Sequence, residues 1–283
     1  MNCKMKSYMV LVGSISLLIS AQNVWALSAV LAKDDATWSD PTAWGTAAVP
    51  GSSDSAFIRE GYNVTVDSDV GSVSAMYIGD LSTYGSSGTV YIMDGGSLIA
   101  NSIQVGRQKN TGFGELNISG GYLQSGDSSG SSAILVGVNT ASDSTTGILE
   151  VSGTGTFVGR AIVGSNEAGD TGDVFRIKGS NATVGNTSTA GSNSIEIRSG
   201  TMEWVFDAAG ASTANFQEIV TFGPNSDGIV VDGAAYTGDD QTITLLSAGI
   251  LSSTPPPITL NNFEVGTTYS WNSTTDTFTI NVK

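Results

Sequence analysis

Apolar and polar residues alternate along most of this 283-residue chain, and the alternation returns in phase about every 30 residues, punctuated by glycine. Each repeat has three parts. A short strand ends in glycine, as in residues 76–79 (MYIG), 103–106 (IQVG), 134–137 (ILVG) and 161–164 (AIVG). A polar loop follows. Next comes a second strand of the form Gly-x-apolar-x-apolar, carrying Val90/Ile92, Leu116/Ile118, Leu149/Val151, and Val174 or Phe175 with Ile177. A glycine turn leads to a third apolar position at Leu98, Leu123, Phe157 and Val184, and a fainter fifth copy keeps Ile195, Ile197, Gly200 and Met202.

Period-two alternation sends one set of side chains inward and the other to solvent. Three such strands per repeat, broken by glycine, predict an all-β parallel β-solenoid with three short strands per coil of about 27–31 residues. One coil cannot bury its inward face alone, so each repeat solves the same packing problem with its neighbours. Four or five coils at about 4.8 Å each predict a rod of roughly 20–25 Å. The flanks differ in texture, giving an expected N-terminal β cap over 27–75, solenoid repeats over 76–204 and a C-terminal β cap or small β module over 205–283. Trp38 and Trp44 are expected to cover the open N-terminal end. Of the loops, those between the first and second strands (79–88, 106–114, 137–147, 164–172) vary most. They emerge along one edge, either as solvated turns or as the kind of variable loop that usually carries binding.

Residues 1–26 stand apart. Lys4 and Lys6 precede an apolar run from Met9 to Ile19, and Val24-Trp25-Ala26 offers the small residues of a cleavage site. The run is about half of the roughly 20 residues that span a bilayer, so it reads as a secretory signal peptide. No other run is long enough to span a membrane. The mature chain would start near Leu27 without Cys3, the sole cysteine, and so without disulfides. It would also lose two of the 11 basic residues against 26 acidic ones, moving the net charge from −15 to −17. Such a surface repels nucleic acid and anionic lipid, and it argues against a polyanionic ligand such as pectin.

With these features the chain resembles exported bacterial β-helix surface proteins, in particular the repeats of autotransporter-type passenger domains. The leader W-x5-W (Trp38, Trp44) with VPG-x2-D-x-A-x-I (residues 49–58) resembles the start of such proteins, and residues 241–282 resemble their closing segment. The repeats are not followed by the pattern of an outer-membrane barrel before Lys283. The resemblance implies an extracellular or cell-surface protein, released, held non-covalently, or assembled with itself.

Chemistry is constrained by the absence of histidine, which removes Ser-His-Asp and Cys-His systems and His-ligated metals. Arg176-Ile177-Lys178 matches the RIK triplet of β-helical polygalacturonases, and Gly238-Asp239-Asp240 echoes their acidic motif, but in the wrong order. Alternation instead makes Arg176 and Lys178 the solvent-facing neighbours of an inward Ile177. Asp67-x-Asp69 and Asp170-x-x-Asp173 could offer oxygen ligands to calcium. Trp38, Trp44, Trp204 and Trp271 could stack on sugars or plug the solenoid ends. Thr154-x-Thr156 is a lone pair without the successive copies that an ice-binding ladder needs. No catalytic, cofactor or metal residues are assigned. The expected function is a secreted, non-enzymatic structural or adhesive element of the bacterial surface or matrix, partnered by itself or by a surface glycan or protein. The alternative is a carbohydrate-binding module or a remnant of a glycan-active enzyme.

Overall fold

The computed structural model describes residues 28–79, 86–106, 112–126, 132–138, 146–165, 172–186 and 195–283. The signal peptide expected over 1–26 and the variable loop residues 80–85, 107–111, 139–145 and 166–171 lie outside them, as do residues 127–131.

Within the described residues the chain winds as a parallel β-solenoid of about seven turns with three faces. The second face shows the logic most simply. Its nine strands run from Ala36–Thr37 and Tyr62–Val66 through Phe113–Ile118 and Thr146–Ser152 to Ile258–Asn261, each bonded in parallel to the strand one coil away. In-register pairing stacks like positions. Val64, Val90, Leu116, Leu149, Phe175, Met202 and Ile229 form one inward column, and Val66, Ile92, Ile118, Val151, Ile177, Trp204 and Val231 form the other. All are buried. Where the sequence left Val174 or Phe175 open, Phe175 is the inward residue, stacked on Leu149.

The first face repeats the arrangement with Ala29, Ala56, Met76, Ile103, Ile134, Ala161, Ile195 and Val220 as one inward column. The third stacks Leu98, Leu123, Phe157, Val184 and Ala214. Strands Asp69–Ile78 and Ser97–Val105 turn the corner between third and first faces without a break.

Parallel pairing runs from Ser28 to Asn261, so coils extend on both sides of the stretch that the glycine phrase marks. The nine levels of the second face make a rod of roughly 40 Å, longer than the four or five coils expected from the sequence. The reason is that the outer coils keep the inward columns while changing the residues between them.

Glycine is required where first and second faces meet. Gly106 lies at φ +63°, and a Cβ there would collide with the Thr146 carbonyl oxygen one coil on. Gly147 has ordinary backbone angles, but its Cβ would press on the Val105 carbonyl and the Gly137 amide. The two backbones close the corner directly, with the Gly106 amide donating to Ile78 O and the Gly137 amide to Val105 O, each 2.8 Å.

Both ends are covered. At the N-terminal end Trp38 and Trp44 are buried and meet edge to face at 4.9 Å, with the Trp44 indole N–H donating to Trp38 O at 2.9 Å. At the other end Gln241–Ser247 extends the third face and pairs antiparallel with Thr277–Val282, which pairs antiparallel with Thr268–Asn272. This hairpin reaches over the last coils. Phe278 lies 6.2 Å from Trp204 of the second face, and Trp271 lies 5.9 Å from Phe222 of the first.

One carboxylate fastens the coil near that end. Asp207 accepts hydrogen bonds from the Ser180 amide (2.8 Å) and hydroxyl (2.9 Å) one coil earlier, and from the Ala209 and Gly210 amides. Burial pushes its pKa up, but these bonds outweigh burial and hold it below the ordinary carboxylate value. A folded pKa below the unfolded one means that its stabilisation is present above the ordinary value and is lost as pH falls through the folded value. Asp207→Asn should therefore cost about 1 kcal/mol at neutral pH and flatten the acid limb of the stability curve. Denaturant titrations at neutral and acidic pH check this; an unchanged acid limb contradicts it.

Candidate interaction surface

What the chain offers to a partner is the outward alternates of its three faces, and their chemistry differs. On the second face the outward row reads Thr65, Tyr91, Asn117, Glu150, Arg176, Glu203, Val230. Arg176 sits between two glutamates one coil away on either side, 3.2 Å from Glu150 and 2.5 Å from Glu203. Burial works against its charge, but the bond and charge of Glu203, then those of Glu150, prevail and raise its pKa further. The RIK triplet is thus a charge ladder along a flat face, with Ile177 inward, Arg176 half-buried and Lys178 exposed, as alternation requires. Its acidic counterpart is engaged elsewhere. Asp240 lies 3.5 Å from Lys283, and the Asp239 carbonyl accepts the Tyr236 hydroxyl.

The calcium-ligand expectation divides. Asp67 and Asp69 are exposed, and Asp69 accepts its own turn's Gly71 amide at 3.0 Å. Asp170 lies outside the described residues. Asp173 is fully buried and faces the corner, where its Oδ1 accepts the Gly147 amide at 2.8 Å. It stands at the register position held by Gly114 and Gly147 in earlier coils, and its carboxylate fills the space beside Gly137. The signal was in the sequence: an aspartate opens the fourth second-strand phrase where glycine opens the others. Among the described residues no three acidic, histidine or cysteine side chains group as a metal site.

The tryptophans are plugs. Trp38, Trp44 and Trp204 are buried, and Trp271 is half-buried with its indole N–H donating to Ser252 O at 2.7 Å, so the first three present no platform for a sugar. Thr156 pairs in register with Thr183 on the third face, while Thr154 lies in the preceding turn.

On the third face the outward positions from Ser97 onward are uncharged: Ile99, Tyr122, Gln124, Thr156, Val158, Thr183, Asn215. A shallow depression of about 390 Å³ opens there over Gly185, lined by Val158, Thr183, Asn215, Phe216, Gln217 and Ser247. On the first face the outward row reads Val30, Phe57, Tyr77, Gln104, Leu135, Ile162, Glu196, with Phe57 and Tyr77 stacked at 4.7 Å and nearly parallel. The sequence reading passed over this row. Its signal is that ILVG and AIVG are unbroken apolar runs where the second strands alternate.

Comparison with protein-family models, curated proteins and solved structures returns no match. Among the described residues no helix is long and apolar enough to cross a membrane.

Proposed function

We propose that the chain is an exported, non-enzymatic structural or adhesive element of the bacterial surface or extracellular matrix, of the kind its resemblance to autotransporter-type passenger repeats implies. The observation that supports this best is the disposition of its charges. Arg176 is held between Glu150 and Glu203, Arg198 lies 2.9 Å from Glu196, and Lys283 lies 3.5 Å from Asp240, each pair on an open surface. Hydrolysis of a glycan needs two carboxylates facing one bond across a cleft, and lyase chemistry needs a basic group beside the abstracted proton. Ladder pairing along a flat sheet directs these groups at one another. The cysteine-free mature chain fits an exported protein that is stabilised by stacked coils in place of disulfides.

The test is to incubate the secreted chain with a panel of neutral and acidic polysaccharides, and to measure both new chain ends and retention on the producing cells. Retention without turnover supports the reading. Turnover that disappears in Lys178→Ala or Asp239→Asn overturns it.

The carbohydrate-binding alternative draws on one feature, the uncharged third face with its depression. Thr183, Asn215, Gln217 and Ser247 supply hydroxyl and amide groups suited to a neutral glycan. Saturable glycan binding lost in Asn215→Ala would favour it.

A further inference from the structure

We infer that the outward side of the first face is a docking surface for a second copy of this chain, forming a closed face-to-face dimer. The inference begins with pattern. A strand covered on one side alternates between apolar and polar residues, whereas one covered on both sides reads as a continuous apolar run. The second face alternates as a one-sided strand should, with Asn117, Glu150 and Arg176 outward. The first face does not: Tyr77, Leu135 and Ile162 point away from the core between the inward residues of their strands. Val30 and Phe57 continue the row, Gln104 stands in it between Tyr77 and Leu135 as its one polar member up to Ile162, and the neighbouring outward positions are Ser55, Ala75, Ser102 and Ala133.

Charge selects the occupant. The chain carries a net charge of −15, so two copies repel wherever acidic surfaces meet. From Ser28 to Val136 the outward positions of the first face carry no charged residue; Arg160 and the paired Glu196 and Arg198 come after. This is the apolar face that a second copy can approach without setting carboxylate against carboxylate. The second face, with Glu115, Glu150 and Glu203 outward, would repel it. The third is uncharged but holds hydrated hydroxyl and amide groups. Stacking end to end is disfavoured because Trp38 and Trp44 cover one end and the 268–282 hairpin the other.

Geometry sets the strength. The five uncharged levels, with strands about four residues long, give a patch of roughly 24 by 13 Å, or about 600 Å² buried between two copies. That is below the size of stable specific interfaces, so association should be weak, reversible and concentration-dependent. Because the same patch faces itself, the contact closes as a two-fold dimer and does not propagate into fibres. Two sheets would pack about 10 Å apart. The inference deepens the structural reading above and can fail separately from it, since glycan turnover would sink that reading without touching dimerisation.

Sedimentation equilibrium of the secreted chain over micromolar to submillimolar concentrations tests it, at low and high salt. Leu135→Glu and Tyr77→Asp are the face variants, and Thr156→Glu on the third face is the control. Melting curves confirm that all three fold, since each altered side chain points outward. The parent should dimerise more tightly at high salt, which screens the repulsion between copies. Both first-face variants should weaken the dimer at least about tenfold, and Thr156→Glu should leave it unchanged. A parent that stays monomeric, species that grow beyond a dimer, or equal weakening by Thr156→Glu would each overturn the inference.

Discussion

Val151→Asp is expected to abolish cooperative folding at room temperature. Val151 is fully buried in the second face's inward column, with Ile118 one coil before it and Ile177 one coil after. Losing the buried valine removes roughly 1.5–3 kcal/mol, and an unpaired carboxylate in the same place adds several more. Together these match the whole stability of a typical domain, about 5–15 kcal/mol. Coils are stabilised by their neighbours, so the damage should spread in both directions along the rod. The neighbouring Glu150 points outward, and Glu150→Gln should change stability by no more than about 1 kcal/mol. Circular dichroism melts of both variants beside the parent decide the matter. A Val151→Asp protein that melts within a few degrees of the parent would mean that the inside and outside of this strand are reversed.

The second large effect is at Trp204. Its indole is fully buried, stacks in register between Ile177 and Val231, lies 6.2 Å from Phe278 and donates to Ser212 O at 3.2 Å. It therefore joins the solenoid to the hairpin that covers its end. Trp204→Ala should cost about 3–5 kcal/mol through the cavity it leaves. The loss should be localised: hydrogen exchange should accelerate over 268–282 well before it does over 113–152. A cost under about 1 kcal/mol, or uniform acceleration along the rod, would show that the hairpin does not rest on this side chain.

The readability of this architecture in the sequence follows from where glycine was needed. At the corner between first and second faces two backbones touch, so Gly106 and Gly147 are compulsory and the repeat announces itself. Toward the C-terminus the same inward columns continue through Val220, Ile229 and Val231, but the phrases "IVTFG" and "GIVVDG" stand among unrelated alternating segments and read as a separate module. Their spacing from Ile195, Met202 and Trp204 carried the signal. The two end plugs differ likewise. Trp38 and Trp44 could be assigned from their position, whereas the antiparallel hairpin depends on pairing across residues 241–282 that alternation does not specify.

Candidate chemistry was legible where alternation fixes direction, as for Arg176 and Lys178. For Asp173 the departure from glycine was visible but its direction was not, because a corner position has no strand period to say whether its side chain faces solvent or core. The apolar outward row of the first face escaped notice for the opposite reason: its residues look like core in sequence, and register alone reveals that they point away from it.

The register of stacked coils is the claim on which the rest depends, and paired cysteines test it most directly. The mature chain is expected to lack cysteine, so Tyr91→Cys with Asn117→Cys would supply the sole thiols. These outward positions pair across adjacent parallel strands, within the 4.4–6.8 Å Cα separation that disulfides require. Thr89→Cys with Asn117→Cys is the offset control, about 8 Å apart along the diagonal and beyond easy bridging. Rapid, near-complete disulfide formation is expected at 91–117 under mild oxidation, and little at 89–117. Bridging at 89–117 in place of 91–117, or at neither, would contradict the stacked register.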